Sequence, residues 1–402
     1  MKLQSQQEAA FRAIVNWALN DKDKMFFKLG GFAGTGKTFL LSYLIQNLQM
    51  SMSCHAPTGK ATSVLSAKLK GVSVPITTVH KAIYSPIEPD SSIIEELQEQ
   101  LELDPNNSDL QIELDIETDN YNSQEVKFAF RGPLQQGAEH LMIVDETSMV
   151  SEQMMKDLLA TGCKVLFVGD PGQLPPVKSN DWFNNVEFDF VLTDVQRQAL
   201  DSPIIRLSMD IRNGNSYVGK YNTDECRVIN KPQMKVSDMM ASDQLITGSN
   251  RSRRELNRLL RRKLKFTGDL PLKGEKLICL KNCKTGYING VQATALTNAT
   301  DDFGSVRLDI EYEGEKRKQV QIYDYHCRVH YDNQLVEEPW YMRRDKQEFD
   351  FAYAITCHKS QGSEWDDVIV IDDQMNSQNF NFRKRWLYTA ATRASKKLAL
   401  VT

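Results

Sequence analysis

The sequence has little that would tie this protein to a membrane. Nowhere in its 402 residues does an apolar run approach the roughly 20 that cross a bilayer as a helix. The opening Met1-Lys2-Leu3-Gln4-Ser5-Gln6 lacks the apolar core of a secretory leader. A cytoplasmic location without membrane attachment is therefore expected. Cysteine usage agrees: Cys54, Cys163, Cys226, Cys279, Cys283, Cys327 and Cys357 are scattered, and no second pair follows Cys279 and Cys283 at zinc-ligand spacing. They read as free thiols in a reducing compartment. Another absence is of positive charge. Residues 82–126 hold no Lys or Arg but thirteen Asp and Glu, and without those thirteen acids the net charge of −4 becomes +9. A basic protein is thus masked by one acidic segment, which permits a polyanionic partner.

What is present has an alternating order. Apolar residues at helical spacing (Ala10, Phe11, Ile14, Val15, Ala18, Leu19) predict a helix over 7–20. A buried strand over 25–29 then runs into a glycine-rich turn and a helix over 39–48. A strand over 51–56 and a helix over 59–69 follow. Leu141-Met142-Ile143-Val144 and Lys164-Val165-Leu166-Phe167-Val168 are strands of the kind buried on both faces. Repeated strand–helix units imply a parallel sheet with right-handed crossovers. A second α/β region begins near Val191 and closes on strands over 368–371 and 398–401.

Two segments interrupt this pattern. In the acidic one, the alternation Leu110-Gln-Ile-Glu-Leu-Asp-Ile-Glu117 reads as a half-exposed strand. Past the turn signal Asp119-Asn120-Tyr121-Asn122, a second strand (126–130) would complete a small hairpin; a solvated acidic loop is the other reading. The second interruption, 268–344, is rich in Gly, Asn and β-formers and suits a small inserted β-barrel.

Chemistry concentrates in two places. Gly31-Phe-Ala-Gly34-Thr35-Gly36-Lys37-Thr38 matches G-x-x-x-x-G-K-[ST] in full, between a predicted strand and helix. Its glycines let successive N–H groups turn inward around phosphate oxygens, at a helix N-terminus that adds positive potential. Lys37 would reach the β- and γ-phosphates and Thr38 would ligate Mg²⁺. Asp145 and Glu146, at the end of a strand, suit Mg²⁺ coordination and activation of the attacking water, respectively. ATP and Mg²⁺ are the expected cofactors.

Read in order, the motifs resemble those of superfamily 1B DNA helicases, the RecD-like and phage Dda-like branch. The resemblance covers both core regions and leaves the two insertions poorly matched. Leu3-Gln-Ser-Gln-Gln7-Glu-Ala-Ala-Phe11 is similar to the family's adenine-reading segment, which implies Gln7 as base contact. Ala56-Pro57-Thr58-Gly59-Lys60-Ala61 and Thr78-Val79-His80 resemble its first-domain DNA-contacting motifs. Gly169-Asp170-Pro-Gly-Gln173-Leu-Pro-Pro-Val is similar to the motif linking the γ-phosphate, through Gln173, to the DNA track. Val195-Gln-Arg197-Gln resembles a segment donating one arginine to the phosphates. Thr356-Cys-His358-Lys359-Ser-Gln-Gly362-Ser-Glu364 resembles a motif touching both DNA and nucleotide, and Tyr388-Thr-Ala-Ala-Thr-Arg393-Ala the motif carrying an arginine finger, Arg393.

The resemblance implies an α/β fold of two RecA-like parallel-sheet P-loop domains, with a small hairpin insertion in the first and a small SH3-like β-barrel in the second. The expected boundaries are 1–83 with 131–190 and 191–268 with 345–402 for the two motor domains, 84–130 for the inserted pin and 269–344 for the barrel. It also implies 5′-to-3′ movement on single-stranded DNA, unwinding of forked duplex by a monomer, and a place beside single-strand-binding, replication or recombination proteins. The compact size suits a bacterial or phage cytoplasm.

Physics supports these roles apart from family. Phosphoryl transfer needs positive charge where negative charge spreads, and arginine supplies it in a fixed fork. Thr58, Thr78, Thr356 and Lys359 suit sequence-independent phosphate contacts, and His80 and His358 could stack or donate. Phe128 or Phe130 would be the strand-splitting wedge. Two readings stay open for the basic run 251–263, track or solvated helix face, and for Trp365 and Trp386, stacking or burial. A nucleic-acid-stimulated ATPase that remodels protein–DNA complexes without processive unwinding is the alternative function. A small-molecule kinase would need neither the second α/β region nor Arg393.

Overall fold

The computed structural model describes residues 2–402 except 88–91, 105–106, 124–126, 136, 177–178, 284–285, 303, 339–342, 344–345 and 374–378. Six parallel strands form the first sheet in the order Ile76–Thr78, Ser51–Ala56, His140–Val144, Lys164–Gly169, Phe26–Gly31, Phe190–Leu192. Alternate side chains of its central strands enter different cores, as the period of two requires. Leu141, Ile143, Leu166 and Val168 meet helices Ser5–Asn20 and Lys37–Asn47 on one face. Met142, Val144, Val165 and Phe167 pack with Leu158, Trp182 and Phe183 on the other. Covered on both faces, these strands read as unbroken apolar runs.

The second sheet has five parallel strands: Ala354–Thr356, Gln244–Thr247, Trp365–Ile371, Ala394–Val401, Cys226–Ile229. Val368, Val370, Leu398 and Leu400 point into a core with helices Pro203–Asn213 and Phe380–Ala391, while Ile369, Ala399 and Val401 pack on the opposite side beneath helix Asn250–Lys263. Trp386 is 1% exposed in that first core and Trp365 packs at its margin, so burial accounts for both tryptophans.

The insertion in the second domain is a barrel. Gln292–Ala295, Lys276–Cys279, Gln347–Phe351, Glu315–Tyr323 and Ser305–Tyr312 pair in series, and the last returns to pair with the first. Ile310, Tyr312, Leu308, Phe349 and Phe351 fill its interior. Its strand Gln347–Phe351 carries it past the expected boundary at 344. The basic helix anchors it and is neither a free track nor merely a solvated face. Arg261, fully buried, grips Glu275 in a fork at 2.7 and 2.8 Å, and Arg253 pairs with Asp350, which also accepts from His330 Nε2 at 2.6 Å. Asn257 bonds the Phe351 carbonyl, and both the N–H and carbonyl of Ala354, at 2.9 to 3.3 Å. Arg251, Arg258, Arg262 and Lys263 remain exposed.

The acidic insertion departs from expectation. Residues 110–117, read above as a strand, lie within helix Ser108–Ser123, beside a second helix Ser92–Leu103. Leu, Gln and Glu are strong helix formers, Asp109 favours the positive first turn, and the strand edge that 110–117 would have needed is already taken. That edge belongs to Tyr84–Ile87, paired antiparallel with Lys127–Phe130, so the hairpin exists with a different partner. Among the described residues no helix is long and apolar enough to cross a membrane.

Candidate active site between the two parallel sheets

The strand Phe26–Gly31 delivers the chain to the carboxyl edge of the first sheet, where the glycine turn opens helix Lys37–Asn47. Gly34 and Gly36 hold φ of +77° and +79°, the left-handed region that side chains avoid. A Cβ at Gly36 would also stand 2.5 Å from Gln7 Nε2. Glycines in this region let a turn present its amides to a phosphate chain; here the Phe32, Ala33 and Thr35 N–H groups go to Leu192 O, Tyr388 Oη and Phe32 O. Lys37 Nζ donates to the Gly31 and Phe32 carbonyls at 2.6 and 3.3 Å, with Asp170 Oδ2 at 4.0 Å. Thr35 is buried and Thr38 half-buried at the helix start. Gln7, 2% exposed, spends its amide on the Thr35 and Gly36 carbonyls, so it braces the loop from below.

Asp145 and Glu146 follow strand His140–Val144 at the same edge, and Glu146 takes a positive φ of 52°. Burial, reinforced by the Glu146 carboxylate, pushes the Asp145 carboxyl up to about 6, although Lys37 opposes the shift. Burial outweighs the lysine charges at this carboxylate, and Asp145 with Thr38 could hold Mg²⁺. Gln173, 4% exposed, leaves its Oε1 without a partner among the described residues, an acceptor that a bound water would satisfy.

The second sheet faces this edge. Gly362 packs so close to Ala61 that a Cβ would stand 2.9 Å from that side chain, Glu364 pairs with Lys68 at 3.2 Å, and Gln361 Nε2 donates to the Leu174 carbonyl at 3.1 Å. Arg212 lies over the Phe32 ring at 3.8 Å. Arg393 is 6% exposed and folded on its own domain, donating to Thr389 O, Ser363 O and Thr392 Oγ1. Arg197 opens the short helix Arg197–Leu200; its side chain lies outside the described residues. Its neighbour Gln196 bonds the loop through Thr35 O at 3.2 Å and Gly34 O at 2.9 Å. The sequence assigns no role to Gln196 or Tyr388, although both stand inside motifs quoted above, and it carries no signal for Arg212.

The remaining motif residues line the carboxyl edges of both sheets. Thr78 stands opposite Ala56 in register, and Thr356 opposite Thr247. Thr58 and Thr78 cap short helices by accepting the Ala61 and Lys81 N–H groups at 3.1 Å, with Pro57 just before. His80 rests edge-on against Phe128, centroids 4.4 Å apart, and burial lowers its pKa. Phe128 is 49% exposed, whereas Phe130 packs into the first sheet's core. Burial likewise lowers the pKa of His358 and, with the Arg253 charge, of Lys359, whose Nζ donates to Asn289 of a barrel loop at 3.1 Å. Ile288 of that loop abuts Gly59. The barrel thus reaches the motif residues of both domains.

The family described as AAA domain matches residues 2–228, and the UvrD-like helicase C-terminal domain matches 351–401. The ATP-dependent RecD2 DNA helicase of Deinococcus radiodurans is 39% identical over 82 residues, 19% of this chain and 12% of that protein. Uncharacterized protein R530 of Acanthamoeba polyphaga mimivirus is 25% identical over 236 residues, 52% of this chain and 40% of its own length. The chain therefore spans well under half of these relatives. In three dimensions it resembles the Bacteroides Pif1 helicase solved with ADP-AlF3 and ssDNA, at 19% identity and a TM-score of 0.51, covering 100% of this chain and 92% of that one. The chain belongs to the AAA-domain family, and its last strands match the UvrD-like helicase C-terminal domain.

Proposed function

We propose that the protein is an ATP-driven motor that moves 5′-to-3′ along single-stranded DNA and unwinds forked duplex. The observation that carries this reading is the phosphate loop at one sheet's carboxyl edge, bonded through the Ala33 N–H to Tyr388 of the helix that leads into Arg393 beneath the other. Lys37 and the loop amides bind the phosphates, with Gly31, Gly34, Thr35, Gly36, Gly362 and Glu364 around them. Thr38 and Asp145 would hold Mg²⁺, which would supply positive charge to the phosphate oxygens. Glu146 takes the proton of the attacking water, oriented by the orphan Oε1 of Gln173. Arg197 and Arg393 add cationic donors from the second domain; for Arg393 this requires release from its own carbonyls as the cleft closes.

Pro57, Thr58, Thr78 and His80 on one edge, and Thr356, His358 and Lys359 on the other, form the single-strand track. Cleft closure changes their separation, so the two sets grip alternately. Exposed Phe128 is favoured over Phe130 as the wedge. The Pif1 structure with ssDNA supports a single-strand partner by likeness of fold.

Unwinding of forked duplexes bearing only a 5′ or only a 3′ tail tests the reading. Strand separation on the 5′-tailed fork alone is expected. Preference for the 3′ tail would overturn the polarity, and DNA-stimulated hydrolysis without separation would favour a remodelling ATPase.

A further inference from the structure

The bond that joins the phosphate loop to the second domain's helix does more than hold the two sheets together. Tyr388, on helix Phe380–Ala391 beneath the second sheet, is 1% exposed and reaches into the first domain. Its Oη accepts the Ala33 N–H, an amide of the phosphate loop itself, at 2.8 Å. The same hydroxyl donates to Asp170 Oδ2 at 2.7 Å, the carboxylate oxygen 4.0 Å from Lys37 Nζ. The ring presses on Gly172, where a Cβ would stand 2.8 Å from Tyr388 Cε1, so glycine permits the approach.

Neighbouring side chains of the same helix complete the junction. Thr389 Oγ1 accepts the Leu174 N–H at 2.9 Å, and Arg385 Nε donates to the Gln173 carbonyl at 2.6 Å. Positions 385, 388 and 389 share one helical face, so one rigid element holds the segment 170–174 at three points. A phenol can accept and donate at once, and here its two partners are a loop amide and a buried carboxylate beside the loop lysine. Once Lys37 and the loop amides turn to a phosphate, both partners of the hydroxyl change their surroundings together. The helix that senses the change ends at Ala391, two residues before Arg393.

We infer that Tyr388 is the positioning residue that couples the state of the phosphate loop to the placement of the second domain, and so makes hydrolysis depend on an engaged single strand. This rests on the motor reading and adds the side chain through which the coupling passes.

Tyr388→Phe keeps the ring against Gly172 and removes only the hydroxyl. Steady-state hydrolysis is measured with and without oligo(dT), beside the thermal midpoint of each protein. The ratio of stimulated to unstimulated kcat is expected to fall about tenfold, with KM for ATP moving less than about twofold. Gly172→Ala, which pushes the ring away without touching the hydroxyl, should lower the same ratio and guards against a folding defect in the first variant. An unchanged ratio in folded Tyr388→Phe overturns the coupling. So does a parallel fall in both rates with a raised KM, which would make Tyr388 a mere support of the nucleotide site. If the wild-type protein ignores oligo(dT), the motor reading fails and the coupling with it; a stimulated wild type with an equally stimulated variant sinks the coupling alone.

Discussion

Both parallel sheets send a strand into a glycine-containing turn and then a helix, yet the two turns end differently. In the first, among the described residues no carboxylate is hydrogen-bonded to the amides of 31–38; those of Phe32, Ala33 and Thr35 go to Leu192 O, Tyr388 Oη and Phe32 O. In the second, strand Gln244–Thr247 passes through Gly248 and Ser249 into helix Asn250–Lys263, and the Asp373 carboxylate already sits at that helix start. It accepts the Gly248 and Ser249 N–H groups at 2.7 and 3.0 Å and the Thr247 and Ser249 hydroxyls at 2.9 Å. One sheet leaves its anion seat to a ligand, and the other fills the matching seat with its own acid. Of these two turns, only the first can take the phosphate that the proposed motor needs, because a helix start that supplies its own anion has no vacancy for it.

Emptying each seat breaks the comparison. Lys37→Ala should lower ATP turnover about 10³-fold, since it removes a preorganised cation from the transition state. DNA-stimulated turnover that survives in steady-state assays would dismiss the loop as the fuel site. Asp373→Ala should cost about 3 kcal/mol in denaturant unfolding at pH 7, because charge-assisted bonds lose their acceptor. Burial works against the Asp373 charge, but bonds from Ser252, Ser249, Thr247 and Gly248 outweigh it and hold its pKa below the usual value. The stabilisation is therefore present above pH 4 and lost as pH falls through the lowered pKa, a decline that the variant should not show.

The fuel site has the opposite sign. The Asp145 carboxyl titrates near 6, so its penalty is absent below pH 4, builds between pH 4 and 6, and is complete above. Asp145→Asn should raise the stability of nucleotide-free protein by about 2 kcal/mol at pH 7.5 and leave it unchanged at pH 4. A loss of stability at pH 7.5 would contradict this. The smallest effect belongs to Ser249→Ala, about 1 kcal/mol in the same unfolding assay, since the Asp373 carboxylate still serves the turn once the capping hydroxyl is gone.

The two seats also differ in how legible they were. The phosphate loop and Asp145-Glu146 announce themselves because glycine, lysine and acid stand at fixed local spacing after apolar runs. Asp373 is 124 residues from Ser249, and Tyr388 is 355 from Ala33, so only the packed sheets bring them together. The strand reading of 110–117 failed for another reason: apolar and acidic residues alternate at the strand period there, yet Leu, Gln and Glu favour a helix and Tyr84–Ile87 takes Lys127–Phe130 as its partner. The barrel was legible as β-rich chain, but its closure and its anchoring by Arg261 and Asp350 depend on partners spread across the second domain.

The junction between that barrel and the second sheet has a mechanical consequence. Only Ala352 and Tyr353, both buried, separate the barrel strand Gln347–Phe351 from Ala354–Thr356, and Asn257 clamps both sides of the joint. Such a joint has almost no compliance. In the proposed motor, torque on the barrel from a blocked strand would pass to Thr356, so an obstacle ahead would be felt in the single-strand track itself.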